Sequence, residues 1–280
     1  MRVSIYDVRH GFSAFVRTPN GRVMALDAGC TPESWTPSFQ LAREGFGRID
    51  RLVLSNYRDD HANDLAGLLR FAPQEYLLNM TVPAVSLAVS KAADGGISYR
   101  ATTVINLVDA LSSGPVAPPM DWGGAEIVHF YNSYPRDFGL DRLDDLSVVS
   151  FVHYEDAHIA FGGDLSRPGW QRLLRNPAFA AQLARVNVLV ASRGGGESGC
   201  CEEVFRVCRP AVVVMANSGL PEAETERSAE WYAARASGLL VDGRTRRVLT
   251  TRRDRAIHVS YKRGFGSFLW TEAEAATRAA

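Results

Sequence analysis

The chain reads first as short apolar–polar alternations. "RVSIYDV" (residues 2–8), "SAFVRTP" (13–19) and "RVMALDAG" (22–29) alternate with the period of a half-buried strand. The glycine-containing stretches "RHGF" and "TPNGR" separate them, which predicts an antiparallel meander. "RLVLSN" (51–56) predicts a buried strand. "HANDLAGLLRF" (61–71) carries Leu65, Leu68 and Leu69 at helical spacing, and "QEYLLNM" (74–80) is another strand. Residues 82–120 have a mixed pattern that ends in a loop, "SSGPVAPP". A second strand-rich block follows, in "AEIVHFY", "LSVVSFVHY" and "AHIAFGGD". After it, helix "GWQRLL", strand "VNVLVAS", helix "CEEVFRVC", strand "PAVVVMAN" and helix "EAETERSAEWYAARAS" alternate. Strands "GLLVDG", "RRVLTT" and "AIHVSY" close the chain.

Each half is strand-rich first and helix-alternating later. That order predicts two packed sheets with helices outside, an α/β four-layer αβ/βα sandwich. We read residues 1–272 as a single domain and 273–280 as a frayed C-terminal tail. With 280 residues and 46% hydrophobic content, the chain can bury a sizeable core. Formal net charge is zero, so a nucleic-acid or membrane surface needs a local patch. The N-terminus lacks the apolar run of a signal peptide, and no stretch approaches a membrane span. The cysteines are Cys30, Cys200, Cys201 and Cys208, with no C-x-x-C pair. Reduced thiols and a cytoplasmic location are the expectation.

The chemistry concentrates in "LVLSNYRDDHANDLAGL", where a strand runs through a polar loop into a helix. Together with "YDVRHGFSAFVRTPNGRVMALDAG", "LSVVSFVHYEDAHIAFGGDLS" and "VNVLVASRGGGESGCCEEVFRVC", in that order, it resembles the metallo-β-lactamase fold superfamily. More narrowly, the chain is similar to the β-lactamase-like domain of bacterial competence (DNA-uptake) proteins. Asp7, Val8, Gly11, Asp27, Ala28 and Gly29 match that group's opening signature.

The resemblance implies two zinc ions between the sheets, held by histidines and carboxylates around an attacking hydroxide. Carried over position by position, the ligand set is broken. Asn56 and Arg58 stand at the first two ligand positions. Arg193 and Gly194 stand where a His-His pair belongs, Leu220 replaces a late His, and Phe12 replaces an acid. Asp60, His61 and Asp164 remain. Clustered carboxylates without a cation raise each other's pKa and bury poorly. Arg58 and Arg193 are therefore expected to replace the ions by pairing with Asp60 and Asp164. An opposite charge at about 4 Å is worth roughly 4 kcal/mol at an effective dielectric near 20, much of it cancelled by desolvation.

The expected protein is a degenerate hydrolase-like member, a pseudoenzyme without metal cofactor, that binds a phosphate-bearing ligand or a protein partner. Its pocket would comprise Asn56, Arg58, His61, Arg193 and His10, with Asp60 and Asp164 as the catalytic-position carboxylates. The alternative is a single-metal phosphodiesterase-like hydrolase holding one Zn, Mn or Fe ion on Asp60, His61 and Asp164, with Asp60 or Asp164 as base. His10 would be an extra ligand there, although a turn histidine bonded to backbone is the plainer reading.

Other features have bland readings. "SRGGGESG" (192–199) lacks the ending of a phosphate-binding P-loop and reads as a flexible remnant of the ligand loop. Cys200 and Cys201 have no local His base and read as packing. The acids of "GLDRLDDLS" are expected to orient the strand after them, and His129, His153 and His158 to be packed or solvated. Arg244, Arg246, Arg252 and Arg253 form a basic edge, the candidate nucleic-acid contact or an ordinary guard against strand pairing.

Overall fold

A computed structural model of the chain describes residues 1–32, 34–112, 119–216, 219–241, 243–273 and 275. Most of the expected 112–119 loop and of the 273–280 tail lies outside them. The meander is β1 (Arg2–Ile5), β2 (Ala14–Arg17) and β3 (Val23–Leu26), paired antiparallel in that order. Helix α1 (Pro37–Arg43) then crosses to β4 (Arg51–Val53), and α2 (Leu65–Leu69) crosses to β5 (Glu75–Leu77). Both crossovers produce parallel pairs, as strand–helix–strand connections do. The α1 start is local chemistry: Thr36 Oγ1 accepts from the Phe39 amide at 3.2 Å and Pro37 fills the first turn. The single helix expected over 61–71 is shorter, because a 3₁₀ turn over Asp59–His61 precedes α2.

The mixed stretch after β5 is a helix pair, α3 (Ala84–Ala93) and α4 (Tyr99–Ser112). Strands β6 (Glu126–Phe130), β7 (Val149–Tyr154) and β8 (Ala157–Phe161) are antiparallel. Helices α5 (Arg167–Leu173) and α6 (Pro177–Ala184) lead to β9 (Val188–Val190), and α7 (Glu202–Val207) leads to β10 (Val212–Met215). Helix α6 was not anticipated, although Asn176 before Pro177 is a cap signal and its side chain accepts from the Ala178 amide. Helix α8 (Glu222–Ala233), the hairpin β11 (Leu239–Val241) and β12 (Arg244–Arg246), strand β13 (Val248–Thr250) and a short α9 (Thr251–Asp254) follow. The closing hairpin is β14 (Ile257–Lys262) and β15 (Gly266–Thr271), the latter a strand beyond those expected.

The sheets have the orders β15-β14-β1-β2-β3-β4-β5 and β13-β10-β9-β8-β7-β6. One face of each contributes to a shared interior, with Val3, Ile5, Val16 and Met24 from the first and Val152, Ile159, Val190 and Val214 from the second. The outer face of the first sheet packs on α1–α4 through Leu41, Leu52, Leu65, Leu87 and Val104. The outer face of the second packs on α5–α8 through Phe151, Trp170, Phe179, Val204 and Tyr232. This is the expected four-layer arrangement. It works because side chains alternate across each strand, so every strand feeds two apolar layers. Among the described residues, no helix is long and apolar enough to cross a membrane. All four cysteines are free thiols.

Candidate functional site

The strand ends bring five loops to one edge of the sandwich. The turn at Arg9–Phe12 lies against the Asp59–His61 turn so closely that a Cβ on Gly11 would sit 2.0 Å from the Asp60 carbonyl oxygen. Gly11 also has φ +81°, so the position requires glycine on two counts. Across the interior, Gly162–Gly163–Asp164 follows β8 and Ser192–Gly195 follows β9; Asp144 enters from the turn before β7. The loops are stitched together by backbone and hydroxyl bonds. Arg193 N donates to Gly163 O at 2.9 Å, Asp164 N to Ser147 Oγ at 3.1 Å, and Asn56 Nδ2 to the same Ser147 Oγ at 2.8 Å.

Between them is a pocket of about 280 Å³. Phe12, Leu26, Val148, Phe161, Val190 and Leu220 form its apolar wall. Its polar part is a row of ion pairs. His61 stands between two carboxylates, with Nδ1 2.9 Å from Asp27 Oδ2 and Nε2 3.0 Å from Asp164 Oδ2. Burial works against charging this imidazole, but Asp164 and Asp27 outweigh it and hold its pKa well above the ordinary histidine value. Burial likewise opposes ionisation of Asp164, but His61, with Arg58 and Arg193, brings its pKa below the usual carboxylate range. Asp27 also accepts from the Ser55 amide at 2.6 Å and from the Ser55 hydroxyl. Outside this row, Arg58 Nε is 3.2 Å from Asp60 Oδ1 and 3.9 Å from Asp164 Oδ2, and His10 Nε2 is 3.3 Å from Asp60 Oδ2.

His10, Arg58, Asp60, His61, Asp164 and Arg193 thus border one pocket. Three expectations need correction. Arg193 does not pair with Asp60 or Asp164; its Nη1 bonds Asp144, because the left-handed backbone at Arg193 (φ 53°) sends the side chain toward the turn before β7. Asn56 does not line the pocket: it is buried, its amide turned inward to Ser147 and its Oδ1 accepting from the Arg58 amide at 2.9 Å. His10 bonds the backbone only through its amide, to Val8 O at 2.8 Å, while its imidazole faces Asp60. The expected pocket did not include Asp27, Asp144 or Ser147. Asp27 was noticed as part of a motif, and an acid ending the apolar run "VMAL" was the available signal. For Asp144 there was none, since the acids around it look alike. The neighbouring Asp145 serves α5 rather than the strand after it, accepting from Ser166 N at 3.0 Å and Gly169 N at 3.1 Å.

The dinuclear zinc centre implied by the resemblance does not suit these residues. An ion between Asp60 and Asp164 would have to displace the Arg58 guanidinium, which already touches both. Both His61 nitrogens face carboxylates. Among the described residues, no group of three His, Cys, Asp or Glu is arranged to hold a metal ion.

The basic edge is largely engaged within the protein. Arg246 Nη2 bonds both Asp254 oxygens at 2.9 and 3.1 Å, Arg253 reaches Glu226 at 3.4 Å, and Arg252 donates to the Leu220 carbonyl. Arg244 is exposed on β12.

Fold and site together define an αβ/βα sandwich protein with an ion-paired pocket at its loop edge. No protein-family model matches the chain, and no curated protein matches it in sequence. Solved structures similar to it include metallo-β-lactamase fold proteins. One is the metallo-beta-lactamase fold protein YhfI from Bacillus subtilis, at 10% identity and TM-score 0.48, covering 96% of this chain and 98% of that one. Another is titled a new diphosphatase from the PhnP family, at 13% identity and TM-score 0.42, covering 81% and 91%. A mutant of CmlA beta-hydroxylase aligns at 12% identity and TM-score 0.49 over 88% of this chain, which spans about half (52%) of that protein. At such distances no residue role or activity passes from them to this chain.

Proposed function

We propose that this chain is a metal-independent binding protein on a hydrolase scaffold, and that its edge pocket takes a small phosphate-bearing ligand. The observation that supports this is the layering of charge. The basic groups stand outermost, with side-chain exposures of 60% for His10, 46% for Arg58 and 31% for Arg193. The carboxylates lie beneath them, at 21% for Asp144, 17% for Asp60, 13% for Asp164 and 0% for Asp27. An entering ligand meets the guanidinium groups of Arg58 and Arg193 and the His10 imidazole first, and guanidinium forms charge-assisted hydrogen bonds to phosphate oxygens. The apolar wall accommodates an organic moiety, and the concave shape favours a small molecule over the protein partner considered as its alternative. The competing reading, one Zn, Mn or Fe ion on Asp60, His61 and Asp164, requires Arg58 to move away from two of those three residues.

The test has two parts. Metal analysis of protein purified without chelator should give far less than one transition-metal ion per chain. Calorimetric titration with p-nitrophenyl phosphate should show saturable binding that Arg58→Gln weakens at least tenfold. Stoichiometric metal, together with Mn- or Zn-dependent phosphodiester turnover that Asp164→Ala abolishes, would establish the hydrolase instead.

A further inference from the structure

A second cavity, about 250 Å³, lies on the outer face of the first sheet and is lined by Arg2, Ser4, Phe15, Arg17, Glu44 and Phe46. It shares no lining residue with the edge pocket. Its charges are unbalanced, two arginines against one carboxylate. Arg2 and Arg17 are direct partners in the β1–β2 register, so two guanidinium side chains leave the sheet side by side. Like charges opposite each other on antiparallel strands repel. Among the described residues, neither arginine forms an ion pair.

What they contact instead is aromatic or neutral. Arg2 lies over Trp270 at 5.2 Å from the ring centre and Arg17 over Phe46 at 5.5 Å. Arg2 Nη2 is 3.2 Å from His258 Nδ1, and Arg2 Nε is buried without a hydrogen-bond partner. The single carboxylate of the cavity, Glu44, is already used by neutral donors: Oε1 accepts from the Tyr6 hydroxyl and from Gln40 Nε2 at 2.6 Å. A buried N–H left unbonded is costly, more so on a charged group, so this arrangement stands to gain from an external acceptor.

We propose that the Arg2–Arg17 cavity is an oxyanion-binding site, taking the carboxylate or phosphate group of a small ligand between the two guanidinium forks. Two forks present paired N–H groups with the spacing of carboxylate or phosphate oxygens. Phe15 and Phe46 then flank the remainder of the ligand. The site is independent of the edge pocket, and the experiment keeps the two apart.

Benzoate and inorganic phosphate are titrated in separate arms into wild type, Arg17→Gln, Glu44→Gln and Arg58→Gln proteins, following heat and the melting temperature. Arg17 is exposed and unpaired, so its replacement should leave the ligand-free melting temperature unlowered. At least one arm should saturate in wild type, and Arg17→Gln should raise its Kd at least tenfold. Glu44→Gln should tighten the same binding severalfold by removing a competing carboxylate. Arg58→Gln should leave this binding event intact, whatever it does to the edge pocket. The proposal is overturned if neither arm saturates in wild type, or if Arg17→Gln binds as wild type does.

Discussion

The two cavities handle charge in opposite ways. In the edge pocket each carboxylate of the row has a basic side chain against it. Asp27 and Asp164 hold His61, Asp60 meets Arg58 and His10, and Asp144 takes Arg193. In the cavity on the sheet's outer face, two arginines stand together and the nearby carboxylate is engaged elsewhere. Even the histidines differ: Asp164 and Asp27 push the pKa of His61 up, whereas burial and Arg2 push that of His258 down. A balanced network holds loops in place. An unbalanced one stands to recruit its counter-ion from solution.

The largest effect expected from breaking this contrast is at Asp27. It is fully buried and joins β3, the Ser55 strand end and His61. Asp27→Asn should lower unfolding free energy by about 3–5 kcal/mol, as removal of one partner of a buried ion pair does. Urea denaturation checks it, and a loss under 1 kcal/mol would mean the row does not brace the loops. Next is Ser147, also fully buried, whose hydroxyl is shared by Asn56 and the Asp164 amide. Ser147→Ala should cost about 1–3 kcal/mol and, by loosening Asp164, weaken ligand binding in the edge pocket.

Acid should destabilise the protein through His258, which faces Arg2, Ser4, Glu44 and Glu272 and stacks on Trp270. Burial is the main cause of its lowered pKa; Arg2 adds to the shift and the Glu272 hydrogen bond opposes it. The folded pKa lies below the unfolded one, so the unfolded chain binds more protons in the window between them. This contribution is present above the unfolded value near pH 6.5 and is lost as pH falls toward the folded value, with a slope of at most about 1.4 kcal/mol per pH unit. Comparing urea midpoints of wild type and His258→Asn across that window isolates it. Saturating oxyanion in the arginine cavity should flatten the dependence. The smallest effect belongs to the exposed Arg253–Glu226 pair: Arg253→Gln should change stability by less than about 0.5 kcal/mol.

Most strands, the two-sheet order and the helices outside were legible because period and length carry that information. Helix α6 escaped because an Ala-rich segment lacks a strong apolar stripe, and β15 because "GSFLWT" breaks the apolar–polar alternation with consecutive apolar residues. In the site, the polar residues Asn56, Arg58 and Arg193 were legible in the loop motifs. Their partners were not. The inward turn of Asn56 depends on Ser147, which lies 91 residues further along the chain, and the Arg193–Asp144 pair spans 49 positions.

By itself the sequence determined which chemical groups exist and the layered fold that alternation imposes. Only the tertiary structure decided which carboxylate each cation meets, that Asp27 underlies His61, and that Arg2 and Arg17 share a cavity with a single carboxylate. The reason is physical. Periodicity is a local property of the chain, whereas a charge pair depends on distances of a few ångströms between loops that sequence order leaves far apart.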